Sequence, residues 1–181
     1  MTEAPIDVAS IARQLARTPN VLDALLADAS DRSLHADEGP GTWSPYGIVG
    51  HLIHGEKTDW IPRARHILSG NSEPFEPFDR EAQNRVEERV PIERLLGEFR
   101  SLREANLETL RSLEIAPEDL AREGLHPALG TVTLGQLLST WAVHDLGHIA
   151  QISRVLAASR KSDVGPWVEY LPILTDRERR G

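Results

Sequence analysis

The stretch "WAVHDLGHIAQI", residues 141–152, carries the strongest indication of how this chain folds. It belongs to a longer segment, starting at Leu134, in which apolar residues recur every three or four positions, a pattern typical of a helix with one buried face. Three positions on that face hold the polar residues His144, His148 and Gln151. Because buried polar groups almost always have partners, something else in the fold must satisfy these side chains.

The two histidines of this stretch are a candidate half of a metal site. His144 and His148 are four residues apart, so on a helix they project from adjacent turns on the same side and can meet one ion. A third ligand must then come from another helix. The spacing is equally compatible with two core histidines that a carbonyl or an acid satisfies.

Working outward, the hydrophobic periodicity predicts four long amphipathic helices. They cover residues 6–29, 45–69, 91–113 and 134–159. The last begins where Thr133 and Gln136 have the spacing of a capping box. The second begins after Ser44, a good N-cap residue, with Pro45 in the first helical position.

Prolines predict where two of these helices are interrupted. Thr18-Pro19 predicts a kink or restart within the first helix, and Pro62 predicts a bend in the second, since proline is accepted in a first turn but not in a helix interior. Three stretches are predicted to be connections without strands: residues 30–42, 70–90 and 114–132. The connection 70–90 is long enough to suggest a functional role, such as a cover over the site.

These elements predict an all-α fold. The architecture is a four-helix bundle with a long connection between helices two and three and a short C-terminal helix after the "GPW" turn. A chain of 181 residues fits one domain over 1–181.

The composition excludes several classes of function. The net charge is −8, with 20 Lys and Arg scattered among 28 Asp and Glu, which argues against nucleic-acid binding. No cysteine is present, so a metal would have to be held by histidine, carboxylate or water. Neither a leader-like N-terminus nor a long apolar run occurs, so we expect no membrane association and a cytoplasmic location.

The second helix offers three candidates for the third ligand, His51, His54 and His66. Periodicity does not choose among them, because the main apolar face of this helix lies elsewhere and carries Glu56. Other metal chemistries find less support. A di-iron bundle needs repeated Glu-x-x-His pairs on its helices, but this sequence has only Glu123 with His126, in a predicted connection. Neither a zincin motif nor a nucleophile elbow appears.

Two stretches resemble the DinB-like superfamily: "TWSPYGIVGHLIHGE" and "HPALGTVTLGQLLSTWAVHDLGHIAQI". The first resembles the family's helix two and the second its helix four, whose His-x-x-x-His pair is followed by a Gln. The resemblance implies that His51, His144 and His148 bind one divalent metal inside the bundle. Two positions depart from the family pattern, Gly147 and His54, and neither belongs to the triad.

The resemblance also implies a class of chemistry. Related proteins are S-transferases and isomerases that use low-molecular-weight bacterial thiols, and a three-histidine site keeps positions open for water or substrate. We therefore predict a metal-dependent enzyme of thiol S-transferase or hydrolase type, which uses zinc or nickel, and in the first case a low-molecular-weight thiol, on a small-molecule substrate. Gln151 and Glu56 are predicted to support the ligands through hydrogen bonds.

Two alternatives of other classes remain. The ion can act as a purely structural tie between helices two and four, without catalysis. The leucine-rich helix faces, together with dimers among related proteins, also predict a homodimer and thus an interaction module.

Overall fold

Four helical arms make up the computed structural model, which describes residues 6–85 and 90–175. In chain order the helices are α1 (Val8–Leu15), α2 (Thr18–Leu26), α3 (Asp31–His35), α4 (Pro45–Thr58), α5 (Trp60–Leu68), α6 (Ile92–Ser112) and α7 (Leu134–Ala158). The first arm is α1 with α2, the second is α4 with α5, and α6 and α7 are the third and fourth. Because α2 and α4 each pack against both α6 and α7, the arms form a bundle.

The prolines interrupt both of the arms in which they occur. Pro19 lies in the first turn of α2, as the predicted restart requires. The second arm breaks at Asp59, whose φ of −111° and ψ of −71° depart from helical values, and not at Pro62. A proline ring clashes with the carbonyl four residues before it, so the helix breaks upstream and Pro62 falls in the first turn of α5.

One predicted connection contains a helix. Within residues 30–42, α3 begins after Ser30, whose hydroxyl accepts a hydrogen bond from the Ser33 amide at 3.2 Å. The prediction of an irregular loop is wrong there, because a single well-capped turn is too short to show hydrophobic periodicity.

The prediction that residues 114–132 lack strands is also wrong. β1 (Glu123–His126) and β2 (Gly130–Thr133) form an antiparallel hairpin in which Glu123 pairs with Thr133 and His126 with Gly130. A 3-10 helix, Pro117–Ala121, precedes it. Strands of four residues are too short to show a clear alternation, and the turn depends on Gly130 at a positive φ of 76°.

The long connection between α5 and α6 runs alongside this hairpin. Phe75 is buried, and its amide donates to the Leu125 carbonyl at 2.8 Å. A 3-10 helix, Ala82–Arg85, follows, and residues 86–89 of the predicted connection lie outside the described part. The predicted short C-terminal helix consists of two 3-10 helices, Gly165–Tyr170 and Pro172–Leu174. Over the described residues, every helix is too short or too polar to cross a membrane.

The core consists of two hydrophobic clusters with polar side chains between them. One cluster includes Leu15, Trp60, Leu107, Leu138 and Trp141. The other includes Leu22, Ile48, Leu52, Phe99 and Ile152. Each arm contributes a buried polar residue to a level between the two clusters, and we call this set the polar layer: Thr18, Glu56, Arg103 and Asp145.

Candidate metal centre

Three of the predicted ligands meet at one point inside the bundle. His51 comes from α4, and His144 and His148 come from α7. The Nε2 atom of His144 lies 3.1 Å from Nε2 of His51 and 3.1 Å from Nε2 of His148. One ligating atom from each of the three residues falls within 4.8 Å of the others. We call this group the histidine centre.

The other two candidates of the second helix lie elsewhere. The ring of His54 packs on Phe78, with centroids 4.9 Å apart. Nε2 of His66 lies 2.8 Å from the Glu73 carbonyl oxygen. Of the three histidines that periodicity could not separate, the fold therefore brings only His51 to the pair on α7.

The spacing of the three nitrogens fits a divalent ion. Two nitrogens bound to one ion at ~2.1 Å lie ~3.0 Å apart at a right angle and ~3.4 Å apart at the tetrahedral angle. The two 3.1 Å separations fall in that interval. Three imidazole nitrogens are also a donor set that zinc, nickel and other first-row divalent metals accept.

The electrostatic environment keeps the histidine centre neutral. Burial, with the neighbouring histidines and Arg80 adding to it, lowers the pKa of His51 and of His144 to about 3. Burial also lowers the pKa of His148, although Gln151 and Asp145 oppose that shift. At neutral pH each imidazole is therefore uncharged and retains the lone pair that metal binding requires.

The Nδ1 atom of each imidazole, on the other side of the ring from Nε2, is the atom at which a hydrogen bond can support a ligand. Nδ1 of His148 lies 3.3 Å from Oε1 of Gln151, so Gln151 stands where its amide oxygen can accept a hydrogen bond from that ring. Nδ1 of His51 and Nδ1 of His144 are buried and make no hydrogen bond within the described part of the chain.

Glu56 faces the polar layer instead of an imidazole. Its carboxylate accepts hydrogen bonds from Arg103 Nη2 at 2.9 Å, Trp141 Nε1 at 3.0 Å and Asn106 Nδ2 at 3.0 Å. Glu56 therefore affects the histidine centre indirectly, by fixing the positions of the helices that carry these donors.

The polar layer holds the two ligand-bearing helices in register. Arg103 is 1% exposed and donates to both carboxylate oxygens of Asp145, at 2.6 and 3.1 Å, as well as to Glu56. Thr18 donates to Asp145 at 2.6 Å. Since Asp145 adjoins His144 and Glu56 lies five residues after His51, the contacts of Arg103 set the rotation of both helices.

Sequence reasoning missed Arg103 and Thr18 as parts of this arrangement. Arg103 lies four residues from both Phe99 and Leu107, so it stands on the apolar stripe of α6. Its position on this stripe was the feature of the sequence that could have predicted a buried arginine. Its partners on α4 and α7 are far away in sequence, and spacing within one helix does not reveal them.

Aromatic side chains surround the histidine centre. The ring of Trp43 lies 4.5 Å from that of His51 and 6.0 Å from that of His148. Phe78 meets His51 edge-on at 5.4 Å, and Trp60 lies 5.2 Å from His144. The three imidazole rings therefore lie against aromatic side chains on several sides.

Comparison with known proteins decides the family. The model of the DinB superfamily matches residues 14–152, which include all three histidines. This chain belongs to the DinB superfamily. The resemblance seen in the two sequence stretches is thereby confirmed.

Relatives of this DinB protein are named for metal chemistry. One from Oceanobacillus iheyensis and one from Bacillus mycoides, each named a "putative metal-dependent hydrolase", are 24% identical to it over 136 residues, 75% of this chain and 77% of the relative. YfiT from Bacillus subtilis is similar in structure, with a TM-score of 0.75 and 20% identity over 89% of this chain and 91% of that one. YfiT is described as "a probable metal-dependent hydrolase with an unusual four-helix bundle topology". The likeness confirms the predicted bundle fold of this DinB protein.

Proposed function

We propose that this DinB protein is a divalent-metal-dependent hydrolase that acts on a small molecule. The convergence of three neutral imidazole Nε2 atoms carries the proposal. The names of two relatives, each a "putative metal-dependent hydrolase", support it. Zinc and nickel are the metals we expect, because both accept three nitrogen donors.

Each part of the chain has a distinct task in this proposal. His51, His144 and His148 hold the ion, and Gln151 fixes the ring of His148. An ion held by these three imidazoles would supply Lewis-acid activation of water or of a substrate carbonyl. The rings of Trp43 and Phe78 exclude bulk water and bring the substrate against the histidine centre.

Metal content is the first test. Protein purified without an affinity tag is analysed by elemental analysis as wild type, His51→Ala, His144→Ala and, as a matched control, His66→Ala. We expect about one divalent ion per chain in wild type and in His66→Ala, and loss of the ion in the other two variants. A wild type that is metal-free and takes up neither zinc nor nickel would contradict the proposal.

Turnover separates the hydrolase from the thiol S-transferase predicted by the family resemblance. Metal-loaded protein is assayed against a panel of esters, amides and electrophiles, with and without low-molecular-weight thiols. A hydrolase is active without thiol, whereas an S-transferase consumes thiol and substrate in equal amounts.

A structural role for the ion is the second candidate, because the three ligands join α4 to α7. It predicts that metal removal lowers the free energy of unfolding while no compound in the panel is turned over. The hydrolase proposal predicts instead that His144→Ala abolishes turnover while the circular-dichroism spectrum stays helical.

A further inference from the structure

A cavity of about 490 Å³ lies on the side of α4 that faces the start of α6. Its walls are one face of α4, with Gly47, Gly50 and Ile53, the 3-10 helix Ala82–Arg85, and the first turns of α6. Among the described residues that line it, none belongs to the histidine centre. His51 directly follows Gly50, so its side chain projects about 100° away around the helix. The volume is typical of a site for a small molecule.

The wall of this cavity contains an amide without partners. Oε1 and Nε2 of Gln83 are both buried and make no hydrogen bond with the residues that the structure describes. Gln83 packs directly on α4, where Gly50 allows the close approach, since a Cβ added at Gly50 would lie 3.0 Å from the Cβ of Gln83. Because a buried amide without partners costs free energy, this side chain is suited to pairing with a ligand.

Three other polar side chains of the cavity wall are already paired. The Tyr46 hydroxyl donates to the Val90 carbonyl at 3.0 Å and accepts from the Val90 amide at 3.0 Å. Lys57 and Glu98 form an ion pair at 2.6 Å, so their charges compensate each other. These groups shape the cavity, whereas Gln83 still offers a hydrogen-bond donor and an acceptor to a ligand.

We propose that this cavity binds a neutral small molecule that carries an amide group, either a carboxamide or a lactam. The amide of Gln83 presents an acceptor oxygen beside its N–H donors, and the amide edge of a ligand offers the complementary donor and acceptor. The ring of Tyr46 packs on the ring of His35 with centroids 5.0 Å apart. Both rings line the cavity together with Ile53 and Leu95, so the body of the ligand is apolar.

Benzamide is the probe, and the amide NMR signals of isotope-labelled protein locate its binding. The titration includes a chelator, because the cavity does not use the histidine centre. We expect saturable shifts of the Gly47 and Gly50 amides and of the Gln83 side-chain amide. Two results would overturn the proposal: shifts confined to His144, His148 and their neighbours, or no saturation up to the solubility limit of benzamide.

Gln83→Met tests the hydrogen bonds with little change in the size of the side chain. We expect it to weaken benzamide binding by about tenfold, because the amide of the probe is then left unpaired in the cavity. Gln14→Met is the matched control. It makes the same chemical change on α1, where Gln14 donates to the Ala142 carbonyl at 3.2 Å, and it should leave the affinity unchanged. Equal affinities of wild type and Gln83→Met would overturn the role of Gln83.

Two analogues of benzamide test the amide without a substitution in the protein. Acetophenone keeps the ring and the carbonyl oxygen but lacks the N–H donors, and benzoate has a charged group with acceptors only. We expect both to bind wild type about fivefold more weakly than benzamide, or weaker still. Equal binding of acetophenone would overturn the amide. Tighter binding of benzoate would show that the exposed cation Arg94 in the wall governs the cavity, and would overturn the neutral ligand.

Discussion

Arg103 is the positive charge of the polar layer. It lies between two carboxylates, those of Glu56 and Asp145, and also donates to the Leu15 carbonyl at 2.9 Å. Its guanidinium further stacks on the rings of Phe99 and Trp141. Removing one partner of a buried charge cluster costs more than the cluster itself contributes, because the remaining charges are left without compensation.

Arg103→Met is therefore expected to lower the free energy of unfolding by ~3–5 kcal/mol. Urea denaturation of metal-free protein, followed by circular dichroism, measures the change. Arg111→Met is the control. Its pair with Glu108 is largely exposed, with side chains 66% and 70% accessible, and we expect a change below ~0.5 kcal/mol. Similar losses in the two variants would contradict the role given to Arg103.

The histidine centre predicts an acid-sensitive metal-free protein. An imidazole in the unfolded chain has a pKa of 6.5, whereas burial lowers the pKa of His51 and of His144 to about 3 in the folded state. Between those values the unfolded state binds protons that the folded state does not. The free energy of unfolding therefore falls as the pH falls from 6.5 towards 3, by up to ~1.4 kcal/mol per pH unit for each histidine.

Urea denaturation in the presence of a chelator, repeated at several values between pH 7 and pH 4, measures this slope. The doubly substituted protein, His51→Gln with His144→Gln, lacks both groups and should show a shallower dependence on pH. Parallel curves for the two proteins would mean that other groups control the acid sensitivity.

The hairpin of β1 and β2 packs so closely on its neighbours that it leaves no space for a side chain at Gly124. A Cβ there would lie 2.6 Å from Cζ of Phe75 and 2.7 Å from Cγ1 of Ile67. Gly124→Ala is therefore expected to destabilise the protein by ~1–3 kcal/mol through overpacking. At Gly97 on α6 an added Cβ would meet no atom within 4 Å beyond its chain neighbours and its own helix backbone, so Gly97→Ala should stabilise by ~0.5–1 kcal/mol. Thermal denaturation of both variants tests the pair, and a stabilised Gly124→Ala protein would contradict the packing described.

The helices and strands also differ in how far the sequence predicts them. The start of α7 was readable, because Thr133 and Gln136 satisfy each other's backbone amides at 3.2 and 2.9 Å within one turn. The hairpin was not, because its two strands are too short to show an alternating pattern and they pack on α5, α7 and the long connection. A pattern within one helix or strand does not identify a partner that lies in another element.

The same distinction applies to the metal centre. The spacing of His144 and His148 predicted that both project from one side of one helix, but it left a metal pair and two core histidines as alternatives. Spacing did not predict His51, because its position relative to α7 depends on how α4 packs across the bundle, and only the family resemblance pointed to it. Arg103 and Asp145 could not be paired in advance, since each stands on a stripe whose partner is set by the tertiary fold.

At the scale of the whole molecule, the predicted homodimer remains a prediction. Sedimentation velocity at micromolar concentration tests it directly. A single species with the mass of one chain would contradict it, and a concentration-dependent shift towards twice that mass would support it.

The histidine centre also has a topological consequence for the chain. His51 and His144 are 93 residues apart in sequence. With an ion bound to the folded chain, the two side chains close the intervening backbone into a ring, as a disulfide between the same helices would, but unfolding separates the ligands and opens the ring. A backbone cut between α5 and α6 would then leave two fragments tethered through the ion, and a chelator would remove that tether.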